Sequence, residues 1–283
     1  MTATVTHSHN QHVAPAQAWD AIAEGYDRHV TARETDLAST ALRLAGLKPG
    51  DRFLDVAAGT GGLSLPAAQI GARVVAIDWS PAMIERFEAR VGAKGITNAI
   101  GRVMDCHALE FNDNEFDVTA SQFGVMLVAD QPQALREMVR VTRPGGRVMI
   151  VAFADPGKFE ALQLFVGALK SVSPDFEGIP DDTPPLEFQV SDPAVLNDRL
   201  RNAGLRDVKI HTSYQEQIEI RSGQELWDWC LGSNPLPGML VSDLKQSQRT
   251  QFIAKLDTTI RERADDNGVA ILTADLNIGV GKK

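Results

Sequence analysis

The sequence predicts an α/β fold, a parallel sheet with helices packed on both faces. Three observations predict it. Strand-like apolar runs alternate with helical ones over residues 53–153, the order that builds parallel sheets. The first run, residues 53–57, passes directly into the glycine turn Gly59-Thr60-Gly61 and then a helix. Turn residues mark the joins, at Pro49-Gly50, Ser80-Pro81 and Pro144-Gly145-Gly146.

The elements follow in order. Residues 15–29 open an amphipathic helix with Trp19, Ile22, Ala23 and Tyr26 at helical spacing. A second helix over residues 36–45 stripes Leu37, Ala41, Leu42 and Leu44, and Gly46 ends it as glycine does past a helix C-terminus. Residues 53–57 are the first strand, 61–70 a helix tightened at Pro66, and 73–77 the second strand. A helix over 81–91 takes Ser80 as its N-cap and Pro81 as its first residue. Strands are expected at 99–104 and 116–123, a helix at 130–141 and a fifth strand at 147–153. Beyond this the pattern loosens into a helix at 158–172, a Pro/Asp/Gly loop at 174–185, a helix at 192–203 and a strand at 207–213. Helices near 223–231 and 242–263 precede a last strand at 269–280.

The totals exclude several classes of function. With 283 residues and 43% hydrophobic content, the chain can bury a full core. Its 37 acidic against 28 basic residues, a net charge of -9, disfavour a nucleic-acid partner, which is met by a basic face. Its two cysteines, Cys106 and Cys230, form no CxxC pair and suit a reducing compartment, so the cytoplasm is the expected location. No apolar run is long enough for a membrane span, and residues 1–14 lack the apolar core of a signal peptide. His7, His9 and His12 lie there without any Cys, Asp or Glu, so the leader reads as a disordered tail, and no metal site is expected.

The chemistry concentrates in Phe53-Leu54-Asp55-Val56-Ala57-Ala58-Gly59-Thr60-Gly61, a buried strand running into a glycine turn. Glycine lets backbone N–H groups approach a ligand at the positive end of a helix. Asp78 ends the second strand, where an acid can accept hydrogen bonds from two ribose hydroxyls. Asp105 ends the third, where an acid can accept from an adenine amino group.

These residues resemble the class I S-adenosylmethionine-dependent methyltransferases, in particular the ubiquinone and menaquinone C-methyltransferase branch. The matching stretches are LDVAAGTG from Leu54, AIDWSPAM from Ala76, MDC from Met104, FDVTASQFGVM from Phe116 and LREMVRVTRPGGR from Leu135. The resemblance spans about residues 53–153. It implies a Rossmann-like, seven-stranded, mostly parallel sheet with helices on both faces and helical lid insertions. It also implies S-adenosyl-L-methionine as cofactor. It divides the chain into a leader (1–14), a helical cover (15–48), a cofactor-binding core (49–153) and a C-terminal part (154–283) that completes the sheet and carries acceptor-binding insertions.

By position, the resemblance places Asp55 and the turn Ala57, Gly59, Thr60 and Gly61 at the methionine end of the cofactor. It places Asp78 at the ribose, Trp79 and Met83 against adenine, Asp105 and the Cys106 backbone at the adenine amine, and Gln122 beside the transferred methyl. Family members usually have glycine where this chain has Ala57. Each role has a plainer competitor: Met83 and Trp79 as core, Gln122 as a strand-end amide. Cys106 is not read as a nucleophile, and His107 is read as solvent-facing.

Transfer from a sulfonium is an in-line displacement, so alignment of acceptor and methyl is the main demand on the protein. Tyr26, His29, Gln122 and His211 are the catalytic candidates, Tyr26 because the resemblance puts its helix over the cofactor. Tyr26, Phe159, Trp227 and Trp229 are the candidate acceptor-pocket residues, the last two on a lid over residues 222–263. The expected partner is a small-molecule methyl acceptor, modified on O or N, and a homodimer stays open. Quinone C-methylation is the runner-up. A nicotinamide oxidoreductase, which would share the glycine turn and Asp78, and a cofactor-binding protein without catalysis are the competing classes. The leader's lack of apolar periodicity yields an expectation of its own: a chain starting at Pro15 retains its folding transition and its cofactor affinity, measured by thermal melting and calorimetry.

Overall fold

The computed structural model describes residues 14–31, 35–176, 178 and 184–283. The leader, with His7, His9 and His12, lies outside the described residues except for Ala14, as does much of the loop read over 174–185. Seven strands form one sheet: β1 (Arg52–Val56), β2 (Arg73–Asp78), β3 (Ala99–Val103), β4 (Phe116–Gln122), β5 (Thr142–Phe153), β6 (Arg206–Ile220) and β7 (Ala270–Lys282). Their order is β3-β2-β1-β4-β5-β7-β6. The first five pair in parallel, and β7 runs antiparallel between β5 and β6.

The central strands are buried on both sides because helices cover both faces. Phe53, Leu54 and Val56 in β1 and Val118 and Ala120 in β4 are buried. The helices are α1 (Ala16–Tyr26), α2 (Thr35–Ala45), α3 (Ser64–Ile70), α4 (Pro81–Ala93), α5 (Gln131–Val141), α6 (Glu160–Val172), α7 (Pro193–Asn202), α8 (Gly223–Ser233), α9 (Pro235–Leu240) and α10 (Gln246–Arg263). Their starts show the chemistry read from sequence. Ser80 caps α4 by accepting from the Met83 amide, and Asp130 caps α5 by accepting from that of Gln133, each ahead of an early proline.

Tertiary pairing moves several boundaries. α3 begins at Ser64 rather than 61, because Gly61 takes φ +96° and holds the chain in a turn. β5 begins at Thr142 rather than 147. Thr142 pairs with Phe116, and Gly145 and Gly146 exchange backbone hydrogen bonds with Lys283 at 3.0 and 3.1 Å. β6 continues past 213 to Ile220, because Tyr214–Ile220 pair with Ala270–Leu276 beyond the end of β5. The prolines after Trp229 begin a further helix, α9, capped by Asn234, whose side chain accepts from the Leu236 amide at 2.9 Å. α10 starts at Gln246 rather than 242.

The overhanging ribbon of β6 and β7 organises a second core. The first core lies along the five parallel strands and their helices. The second joins α6, α8 and α10 to Ile218, Ile220, Ala270 and Leu272 of the ribbon. Phe252 is fully buried there, with Phe165 and Trp227 both edge-on at 5.0 Å between ring centroids. Trp227 therefore belongs to the packing of this unit. Removing a buried ring that locks three helices leaves a cavity, so Trp227→Ala is expected to cost about 3–5 kcal/mol of stability in chemical denaturation. Its effect on any acceptor is expected to follow the unfolding transition.

Candidate functional site

The turn after β1 is the frame of the site. Ala57, Gly59 and Gly61 all take left-handed backbone, at φ +55°, +55° and +96°. For Ala57 this conformation costs about 1–2 kcal/mol that glycine would not incur. Each residue of the turn meets a different element. A Cβ on Gly61 would lie 2.5 Å from the Phe87 ring of α4, and one on Gly59 would lie 3.2 Å from the Tyr26 ring of α1. Asp78, at the end of β2, accepts from the Gly59 amide at 2.9 Å and from the Ser80 amide at 3.0 Å. Burial pushes its carboxyl up to about 6, against the pull of those backbone donors.

Helix α1 covers this turn and is pinned to α4. Asp20 accepts from the Ser80 hydroxyl at 2.5 Å and from the Ala82 amide at 3.1 Å. One turn on, Glu24 pairs with Arg86, and two turns on, Asp27 pairs with Arg90. A π-helical turn, Asp27–Thr31, follows α1 and brings the Thr31 hydroxyl to 2.6 Å from that of Thr60. On its other side α1 crosses α8 at Gly25 and Gly232, where an added Cβ on Gly25 would lie 3.0 Å from the Gly232 Cα.

Under α1 lies a cavity enclosing about 830 Å³ of empty space, mouth included, at the C-terminal ends of β1, β2, β3 and β4. Strand order reverses between β1 and β4, the place where open α/β sheets bind ligands. Of the residues singled out from sequence, Tyr26, Ala57, Gly59, Asp78, Trp79, Met83, Asp105, Cys106 and Gln122 line it. Trp79 is 40% exposed, so its ring is held at the mouth and not in the core. Gln122 is buried, yet neither polar atom of its amide has a partner. An unpaired buried amide costs about 1–3 kcal/mol, which a ligand's polar atoms would offset.

Other predicted residues sit elsewhere. Asp55 is buried behind the wall, where it accepts from the Ser64 hydroxyl at 2.6 Å and holds the start of α3. Thr60 and Gly61 are likewise behind the wall, tied to Thr31 and Phe87. His29 and His211 line neither this cavity nor the one beside it, and His211 packs on Tyr214 in the edge strand β6. His107, read as solvent-facing, instead lines the cavity, with Nδ1 2.7 Å from Asp105 and Nε2 accepting from the Asp130 amide at 3.3 Å. Asp105, Cys106 and His107 bring their ligand-type atoms within 4.8 Å. Both ring nitrogens of His107 are already engaged, so the group reads as a brace for the loop after β3. Burial, with Asp105 and Asp78 nearby, pushes the Cys106 thiol up to about 12 and keeps it protonated.

A second cavity, about 1000 Å³ of empty space, adjoins the first. Trp19, Tyr26, Phe123 and Leu127 line both. Phe159 and Trp229 line the second; Trp227 does not. Phe123 stacks on Phe153 at 4.6 Å, Phe153 on Phe159 at 4.5 Å, and Phe159 meets Trp229 edge-on at 6.3 Å. Sequence reading missed Glu187 and Glu216, the two acids on this wall. The signal for Glu216 is the alternation Tyr214-Gln-Glu216-Gln-Ile218-Glu-Ile220, which puts it on the inward face of β6.

Comparison with known proteins agrees with this arrangement. Residues 54–150 match a family described as "Methyltransferase domain". An uncharacterized protein of Mycobacterium tuberculosis is 39% identical over 141 residues, 50% of this chain and 49% of its own length. The ubiquinone/menaquinone biosynthesis C-methyltransferase UbiE of Ectopseudomonas mendocina is 34% identical over 169 residues, 54% of this chain and 65% of its own. The chain thus spans about half the length of the first curated relatives it matches. A solved structure of phosphoethanolamine N-methyltransferase 2 from Haemonchus contortus, in complex with S-adenosyl-L-methionine, superposes with a TM-score of 0.54 at 18% identity, covering 88% of this chain and 52% of that one.

Ala57 leaves a mark on its neighbour. A Cβ on Gly124 would fall 2.5 Å from the Ala57 Cβ and 2.7 Å from its carbonyl oxygen. Gly124→Ala is therefore expected to lose about 1–3 kcal/mol in urea unfolding, whereas Ala57→Gly stays within about 1 kcal/mol of the parent because relief of the left-handed backbone offsets glycine's entropy. The double variant is expected to recover part of the Gly124→Ala loss, since one of the two close contacts is gone.

Proposed function

We propose, from the premise that residues 54–150 are a methyltransferase domain of the class I S-adenosylmethionine-dependent superfamily, that this chain methylates a small-molecule acceptor at oxygen or nitrogen. The observation that carries the cofactor assignment is the buried, unpartnered amide of Gln122 facing a cavity that also holds the Asp78 carboxylate. That donor and acceptor set suits S-adenosyl-L-methionine. Asp78 would accept from the ribose hydroxyls, Trp79 and Met83 would pack on adenine, and the exposed Asp105 would accept from its amino group. The backbone at Ala57 and Gly59 leaves room for the methionine end. Asp55, Thr60 and Gly61 serve this site by shaping the turn from behind.

When bound, the cofactor supplies a methyl group already activated on a sulfonium. The work left to the protein is orientation and exclusion of water. Tyr26 and Trp19 of α1 close the cofactor cavity and open onto the neighbouring one, which is the acceptor chamber in this reading. Residues 222–263 contribute Trp229, Leu236 and Leu240 to that chamber and would act as its lid. The antiparallel β7 separates this sheet from the 3-2-1-4-5-6 order of nicotinamide-binding folds, which speaks against the oxidoreductase reading. The 34% identity to a quinone C-methyltransferase favours a second reading, methylation of a phenolic ring carbon. A labelled-methyl screen of amines, phenols and quinone precursors separates the two.

Cofactor affinity tests the site directly. Asp78→Ala is expected to weaken S-adenosylhomocysteine binding by about 1.5–3 kcal/mol in calorimetry. The Asp78 carboxyl, raised to about 6, accepts ribose hydrogen bonds best when ionised, so wild-type affinity is expected to fall as pH drops through that value, by up to about tenfold per unit. Asp78→Asn is expected to flatten that dependence. Unchanged affinity in a folded Asp78→Ala chain would contradict the ribose assignment.

A further inference from the structure

The acceptor chamber is mostly apolar and carries two carboxyl groups that, among the described residues, no cation answers. Glu216 projects from the inward face of β6, opposite Ala274 of β7 and in line with buried Ile218 and Ile220. Glu187 enters from a short 3-10 turn, Leu186–Phe188, whose flanking Leu186 and Phe188 are buried. Among the described residues, no Arg, Lys or His lines this chamber. Burial alone pushes the Glu216 carboxyl up to about 7, and burial also raises that of Glu187 against the pull of its own amide. The remaining titratable groups on the wall are Tyr26 of α1 and Cys230 of α8, whose thiol burial holds above its ordinary range. An inward-facing acid with no partner is costly to keep.

Much of the rest of the wall is aromatic. Phe123, Phe153, Phe159 and Trp229 run as a connected series of rings from the edge of the cofactor cavity into the chamber, with Trp19 and Phe165 beside them. Ring faces attract cations, and carboxylates pair with cations and repel anions. We propose that this chamber takes an apolar amine, bound as its ammonium, with Glu216 as the carboxylate that selects it and Glu187 as a second acidic group on the same wall. The proposal rests on the methyltransferase reading for calling the amine a methyl acceptor: for that role the bound ammonium would first pass one N–H proton to the Glu216 carboxylate, freeing the nitrogen lone pair for the methyl group. The ammonium recognition rests on the chamber itself. It narrows the acceptor from any O or N nucleophile to nitrogen, and it excludes acceptors carrying phosphate or carboxylate.

A matched probe series tests it: 3-phenylpropylamine, 3-phenylpropan-1-ol, 4-propylphenol and 3-phenylpropanoate. Each is titrated calorimetrically into the full chain at pH 8, with and without saturating S-adenosylhomocysteine. The amine is expected to bind about ten- to a hundredfold more tightly than the alcohol or the phenol, and the carboxylate to bind more weakly than either. The amine's advantage is expected to shrink as pH falls from 8 to 6, where Glu216 gains its proton. Glu216→Gln is expected to bring the amine down to the level of the alcohol while S-adenosylhomocysteine affinity stays at the wild-type value. An alcohol or phenol that binds as well as the amine, a Glu216→Gln chain that keeps the preference, or no binding of the amine overturns the proposal. The wild-type series decides by itself should Glu216→Gln fail to fold, and Glu187→Gln then reports on the second acid. Failure of S-adenosylhomocysteine to bind counts against the methyltransferase reading alone, because the probes are also read without it.

Discussion

The left-handed turn between β1 and α3 is the constraint on which the rest of the site depends. Three of its residues hold positive φ, and each leaves room on its surface for one neighbour: Gly124 against Ala57, Tyr26 against Gly59 and Phe87 against Gly61. Asp78 fixes the turn from β2 by accepting the Gly59 amide. Phe123, at the end of the adjacent strand β4, is also left-handed at φ +60°. The two central strands thus end in strained backbone side by side, where the order of the sheet reverses and a cleft opens. Strain of this size persists only because the strands below are fully buried and cannot shift.

Helix α1 converts that cleft into two chambers. Its acidic side is clamped to α4 through Asp20 and Asp27, and its Gly25 lets α8 approach to backbone contact. Trp19 and Tyr26 then face both ways, toward the cofactor cavity and toward the aromatic chamber. The second core is what holds α8 at this distance, because β6 and β7 overhang β5 and carry α6, α8 and α10 with them. The far wall of the second cavity is therefore supported by the second core, while Trp19, Tyr26, Phe123 and Leu127 are shared with the first cavity.

The buried acids show the same division. Asp78 is desolvated yet answered by the amides of Gly59 and Ser80, which orient its carboxylate for a neutral partner. Glu216 is desolvated and, among the described residues lining the chamber, meets no cation, which leaves its charge for whatever enters the chamber. Asp55, deeper than either, accepts from the Ser64 hydroxyl and so shapes the turn from behind. Three carboxyl groups in similar apolar surroundings differ in what they can do because of the donors around them.

Much of the parallel half of the molecule was legible in the sequence. The alternation of runs, the glycine turn, Ser80-Pro81 and Asp130 report local backbone chemistry, which acts over a few residues and is written where it acts. Gly59, Asp78 and Asp105 of the cavity wall were legible for the same reason, since strand ends and the turns after them carry them, whereas Ala57, Trp79 and Met83 were placed there by the family resemblance. The sequence alone did not determine which acids face a cavity, as Asp55 and Glu216 illustrate. It also left open that Trp227 packs on Phe252 while Trp229 meets Phe159 and lines the second cavity. Those outcomes depend on β7 entering between β5 and β6 and on the overhang this creates, contacts between residues far apart in the chain. Local pattern specifies the elements. Only long-range packing decides which side chains it buries against each other and which it leaves facing a cavity, because burial is a property of the assembled layers.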